Sequence, residues 1–145
     1  MRSDLPGGGN LSPMPAEPTP SHTRQPRVVA LRGATTLDID DEAHMVDRVQ
    51  VLVAQMLERN EVDLDDLISI LFTATDDVHC AFPALAARRM GFTDVPLMCA
   101  RELAVDGATP RCIRVMVHLN STRTRAEMHH VYLEGAVGLR DDLPE

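Results

Sequence analysis

An arginine stands alone inside an apolar run near the C-terminal end of the chain, Cys112-Ile113-Arg114-Val115-Met116-Val117-His118-Leu119. Read as a strand, the run alternates Ile113, Val115, Val117 and Leu119 onto one face, and Cys112, Arg114, Met116 and His118 onto the other. Both faces are largely apolar, the pattern of an inner strand, so Arg114 is expected to be substantially removed from water. A guanidinium does not shed its charge, and burying it unpaired is costly. Such a position calls for an anion, either a carboxylate of the chain or a bound ligand. The same arrangement recurs in Val28-Val29-Ala30-Leu31-Arg32, where an apolar strand ends in arginine before Gly33. Two arginines so placed, in a chain of net charge −8, point to an anion-binding pocket.

Other chemistries find less support. Ser69 lies in an apolar strand and Ser121 in a turn, and neither sits in a nucleophile-elbow context. Cys99 lacks the local signature of a Cys–His pair and reads as a buried structural cysteine. His79-Cys80 and His129-His130 are adjacent pairs, and no C-x-x-C or H-x-x-x-H spacing accompanies them, so no metal is expected. All 14 basic residues are arginine, which removes the lysine Schiff base, pyridoxal-phosphate chemistry and the P-loop lysine together. What remains is a dispersed set: Arg32, Arg88, Glu102, Arg114, Tyr132 and Arg140. One reading pairs Arg114 with Glu102 as a structural salt bridge. The other gives both to a ligand.

The elements that must position these residues follow from periodicity. Arg27–Arg32 reads as a strand and Gly33-Ala34-Thr35-Thr36 as a loop. Asp40 or Asp41 can cap a helix over 41–60, in which Met45, Val49, Leu52, Val53, Met56 and Leu57 recur at helical spacing. An acidic turn at 63–66 leads into a strand over 67–73. Pro83 suits the first turn of a second helix ending before Gly91. Strands follow at 95–99 and 113–120, then a short helix within 125–134 and an extended segment at 136–139. The alternation makes the class α+β, a mixed sheet with flanking helices. Residues 1–27 carry six prolines and Gly7-Gly8-Gly9, and read as a disordered tail ahead of one folded domain over 28–145.

Composition bounds the partners. The acidic balance argues against nucleic acid and anionic membrane surfaces. No stretch is apolar for long enough to span a bilayer. Three cysteines without a close pair, and no secretory signal in view, suit free thiols in the cytoplasm. With 3% aromatic residues the core must be aliphatic.

The order and wording of the segments add to this. Arg32-Gly33-Ala34-Thr35-Thr36, the run from Ala74 through Phe82-Pro83-Ala84, Val95 through Met98-Cys99 to Glu102, Cys112-Ile113-Arg114-Val115-Met116, and His130-Val131-Tyr132-Leu133-Glu134 with Leu139-Arg140 closely resemble the AroH-type chorismate mutases. The resemblance runs from about Val28 to Leu143 and leaves the tail outside. It implies a homotrimer with a pseudo-α/β-barrel fold and active sites between neighbouring subunits, with no cofactor. By position, Arg114 would meet the ether oxygen and a carboxylate of chorismate, and Arg32 the enolpyruvyl carboxylate, with Tyr132 beside it. Glu102 and the Cys99 backbone would bind the ring hydroxyl. Phe82, Arg88 and Met98–Cys99 would come from the adjacent subunit, and Leu139 and Arg140 would close the mouth. Leu85 stands where family members often carry a lysine, so one peripheral cation is missing. The runner-up is a trimeric small-ligand binding or deaminating protein of similar fold that holds another carboxylate.

Overall fold

The computed structural model describes residues 24–139. Five strands form one mixed sheet in the order β3-β2-β4-β1-β5: β1 Arg27–Thr36, β2 Leu67–Ala74, β3 Leu97–Arg101, β4 Cys112–Ser121 and β5 Val131–Tyr132. The central strand β4 runs antiparallel to both β1 and β2. The outer strands β3 and β5 run parallel to β2 and β1 respectively.

Helix α1 spans Glu42–Arg59, with Asp41 as its cap, accepting from the His44 N–H at 3.0 Å. Glu42 in its first turn and Arg59 in its last complement the helix dipole. The apolar stripe buries Met45, Val46, Val49, Leu52, Val53 and Met56 against Val29, Leu31, Val115 and Val117 of the sheet. Each such side chain contributes roughly 1.5–3 kcal/mol by leaving water. Asn60 ends the helix with a buried side chain. Its amide donates to the carbonyls of Met56 and His129, each at 2.8 Å, and its oxygen accepts from the His129 N–H at 2.7 Å. The helix end thereby fixes the approach to β5. Helix α2, Ala84–Arg89, packs on α1 through Ala84, Ala86 and Ala87, and Pro83 precedes its first turn as expected.

Four local expectations shift. The segment 33–36 is not a loop: β1 continues through it, with Gly33 opposite Val115 and Val131. Gly33 is needed for space, because a Cβ there would lie 2.5 Å from Met56 Sδ, 3.0 Å from Leu52 Cδ1 and 3.1 Å from the Val131 carbonyl oxygen. Gly33→Ala should therefore destabilise the fold by about 1–3 kcal/mol, the usual cost of overpacking, read as a lower urea midpoint with unchanged slope. The third strand begins at Leu97, two residues late, after Pro96, which has no N–H to give a ladder. Residues 125–134 hold a 3-10 turn at Arg125–Glu127 followed by β5, and 136–139 are not extended but follow a second 3-10 turn at Glu134–Ala136.

Both helices lie on the same face of the sheet, since their buried residues join one cluster with the odd positions of β1 and β4. The described residues leave much of the other face uncovered, with Val28 63% and Met98 66% exposed. Arg114 belongs to that face, and its side chain is 49% exposed. The burial expected for it is absent from the single chain. Strand β4 is central in hydrogen bonding, yet the described residues cover only one of its sides. No helix among the described residues is long and apolar enough to cross a membrane.

Candidate active site

Sheet register assembles the site on the open face. Thr73 of β2 stands opposite Arg114 of β4, which stands opposite Ala34 of β1, which pairs with Tyr132 of β5. Glu102 follows β3 directly, its N–H donating to the Ala74 carbonyl at 3.0 Å. One row across the sheet thus runs from Ala100 through Thr73, Arg114 and Ala34 to Tyr132, and Glu102, two residues beyond Ala100, joins it through its side chain. Arg32 lies two residues along β1 from Ala34, diagonal to Arg114 and on the same face.

These side chains line a pocket of about 190 Å³, with Thr73 and Met116 in its wall. The Thr73 hydroxyl donates to Glu102 Oε2 at 2.7 Å, which orients the carboxylate. Arg114 Nε lies 3.7 Å from the same oxygen, an ion pair longer than a hydrogen bond, with the two side chains 49% and 27% exposed. Two guanidiniums and one carboxylate give the pocket a net positive charge within an acidic chain. It can take an anion while keeping one negative group beside it. The nearby Cys112 thiol, buried against Ala34 and Ala136, is pushed up by burial against the pull of Arg114.

The remaining candidates lie elsewhere. Phe82 and Cys99 line a second cleft of about 710 Å³ that shares no lining residue with the first. Cys99 sits opposite Phe72 and packs towards the helix-covered core, which leaves its backbone for any ligand. Phe82 is 71% exposed. Met98 projects from the open face, and Arg88 is exposed on α2. Leu139 packs against Ala34, Cys112 and Ala136 close to Tyr132. Arg140 lies outside the described residues.

The loop that carries Phe82 is tied down. Asp40 accepts from the His79 N–H with both carboxylate oxygens and from the Cys80 N–H, each at 3.0 Å. Hydrogen bonds from the Cys80 thiol and the His79 amide hold the Asp40 carboxyl below its ordinary range. Burial, reinforced by Asp40, pushes the Cys80 thiol up to about 11, so this cysteine is a protonated donor and no nucleophile at neutral pH. Sequence reasoning missed the part played by Thr73. Its signal was present, as a hydroxyl near the end of an apolar strand, on the face shared with Ser69 and Leu71.

Fold and pocket together define an α+β protein with an open, arginine-lined pocket on the uncovered face of its sheet. The sequence profile of the chorismate mutase type I family matches residues 28–143. Chorismate mutase AroH of Bacillus subtilis (strain 168) is 38% identical over 114 residues, covering 78% of this chain and 90% of that protein. Chorismate mutase AroH of Thermus thermophilus is 41% identical over 117 residues, covering 80% and 96%. A solved chorismate mutase from Clostridium thermocellum is similar in fold, with a TM-score of 0.74 at 46% identity, covering 75% of this chain and 97% of that one. The chain belongs to the chorismate mutase type I family and, with it, to the isomerases.

Proposed function

We propose that this chain converts chorismate to prephenate, on the route to phenylalanine and tyrosine, by electrostatic preorganisation alone. The observation that carries the mechanism is the pairing of Arg114 with Glu102 in one pocket beside Arg32. In the Claisen rearrangement a C–O bond breaks while a C–C bond forms, with no proton transfer and no covalent intermediate. Negative charge grows on the ether oxygen and positive charge on the ring. Arg114 near that oxygen and Glu102 near the ring bind the transition state more strongly than the substrate. Arg32 holds the enolpyruvyl carboxylate, with Tyr132 at its side, and this selects the compact diaxial form of a flexible molecule. A millionfold acceleration requires about 8 kcal/mol, and one preorganised donor supplies roughly 3, so two electrostatic contacts plus orientation suffice.

The same reading makes the enzyme a homotrimer. A pocket of about 190 Å³ is smaller than the ~300 Å³ at which small-molecule sites begin, so one protomer supplies part of an enclosure. Exposed Phe82, Arg88 and Met98 are free to complete the site of a neighbour, with the Cys99 backbone beside the ring hydroxyl. Leu139 and Arg140 close the mouth. Residues 28–145 form the catalytic domain, whose first strand already begins at Arg27. Three free thiols suit a cytoplasmic enzyme.

Loss of the ultraviolet absorbance of chorismate on adding the protein tests the activity. A binding or deaminating protein of similar fold would leave that absorbance unchanged or release ammonia. The chemical step should run at the same rate in deuterated water at matched viscosity and show little pH dependence near neutrality. A several-fold slowing would mean that a proton moves in it.

A further inference from the structure

Arg48 lies on α1 and lines neither pocket, yet among the described residues it is the most heavily engaged arginine outside them. Its side chain is only 17% exposed and reaches three acceptors: the Thr36 carbonyl at 3.0 Å, Asp38 Oδ2 at 2.7 Å and Glu134 Oε2 at 3.3 Å. These belong to the end of β1, the loop after it and the turn that follows β5. The planar fork of a guanidinium can hold three such groups at once, and an ammonium on a flexible stem cannot do so as well.

The turn it grips begins two residues after Tyr132. Glu134 has φ 52°, a left-handed conformation that costs a side-chain-bearing residue free energy and persists only where the surroundings impose it. Three contacts impose it here. The Leu133 N–H donates to the Ala34 carbonyl at 2.9 Å, the Gly135 N–H donates to Thr36 Oγ1 at 2.8 Å, and Arg48 holds the Glu134 carboxylate. Beyond the turn, Ala136 is fully buried against Ala34 and Cys112, and Tyr132 and Leu139 pack on the same small cluster beside the pocket.

We infer that Arg48 is a positioning residue for the substrate site, acting through Glu134 and Thr36 to hold the segment 133–139 so that Tyr132 and Leu139 stay at the pocket edge. The inference rests on the reading that those two residues meet chorismate. Arg48 touches no reacting atom, so its loss weakens capture and leaves the charge-stabilising pair Arg114 and Glu102 in place.

The chain has one tyrosine and no tryptophan, so its intrinsic fluorescence reports Tyr132 alone. In Arg48→Met, KM for chorismate should rise about tenfold with kcat changed less than about twofold, the size expected for hydrogen bonds to a charged group. Acrylamide should quench Tyr132 more readily in this variant, while the circular dichroism of α1 is unchanged. Arg48→Lys should restore part of the KM. A folded Arg48→Met with parental KM and parental quenching would overturn the proposal. Should that variant fail to fold, Glu134→Gln, altering a half-exposed partner, carries the test: a raised KM with raised quenching supports the contact, and parental values for both overturn it. If the parent chain shows no mutase activity, the functional reading has failed, and the quenching arm still decides whether Arg48 holds the segment.

Discussion

Arg114→Gln is expected to lower turnover by a factor on the order of a thousand or more, with a smaller change in apparent substrate affinity. The ether oxygen of chorismate carries little charge in the ground state and substantial charge as the C–O bond breaks. A guanidinium fixed beside it is therefore mostly a transition-state contact, and its loss falls on kcat. The competing view makes Arg114 the structural partner of Glu102. The ion pair exists, but at 3.7 Å with its arginine 49% exposed it resembles a surface pair, worth about 0–1 kcal/mol. Arg114→Gln should thus melt near the parent temperature and still be nearly inactive. Arg114→Lys should keep part of the rate through its point charge and lose the geometry of the fork. Near-normal turnover in a folded, correctly assembled Arg114→Gln would leave only the structural role.

The double substitution Val28→Glu with Ala30→Glu is expected to abolish activity without unfolding the chain. Both residues sit on the uncovered face of β1, and Val28 is 63% exposed. Surface changes of this kind usually shift stability by no more than about 0.5 kcal/mol. If that face is buried between copies, six carboxylates are brought together in a dry interface, which is a large penalty on assembly. Sedimentation should then show monomers, and activity per chain should fall to near zero because Phe82 and Arg114 no longer meet across subunits. A fully active monomer would overturn the shared-site reading. An intact, active trimer would move the interface off this face.

Local pattern made much of this protein legible. The stripe from Met45 to Met56 specifies α1 because helical spacing and a capping aspartate are both short-range properties. The alternation in 112–119 specifies β4 and which of its residues share a face with Arg114. Five motifs in order were enough to assign the family, since each records residues whose types the site demands.

Where the helices come to rest was decided only by tertiary structure. Alternation shows that Arg114, Met116 and His118 share a face, but whether anything covers that face depends on where α1 and α2 dock, and both dock on the other side. That is why Arg114 is half-exposed in the single chain despite its apolar neighbours. Gly33 read as the start of a loop because the crossing of Met56, which demands a missing Cβ, joins residues far apart in sequence. The grip of Thr73 on Glu102, the separation of Phe82 from Arg114 into two clefts, and the reach of Arg48 to Glu134 are likewise long-range. Periodicity carries information over one or two turns of chain. Contacts between residues 23 to 86 positions apart are fixed by strand order and helix docking, which no local pattern encodes.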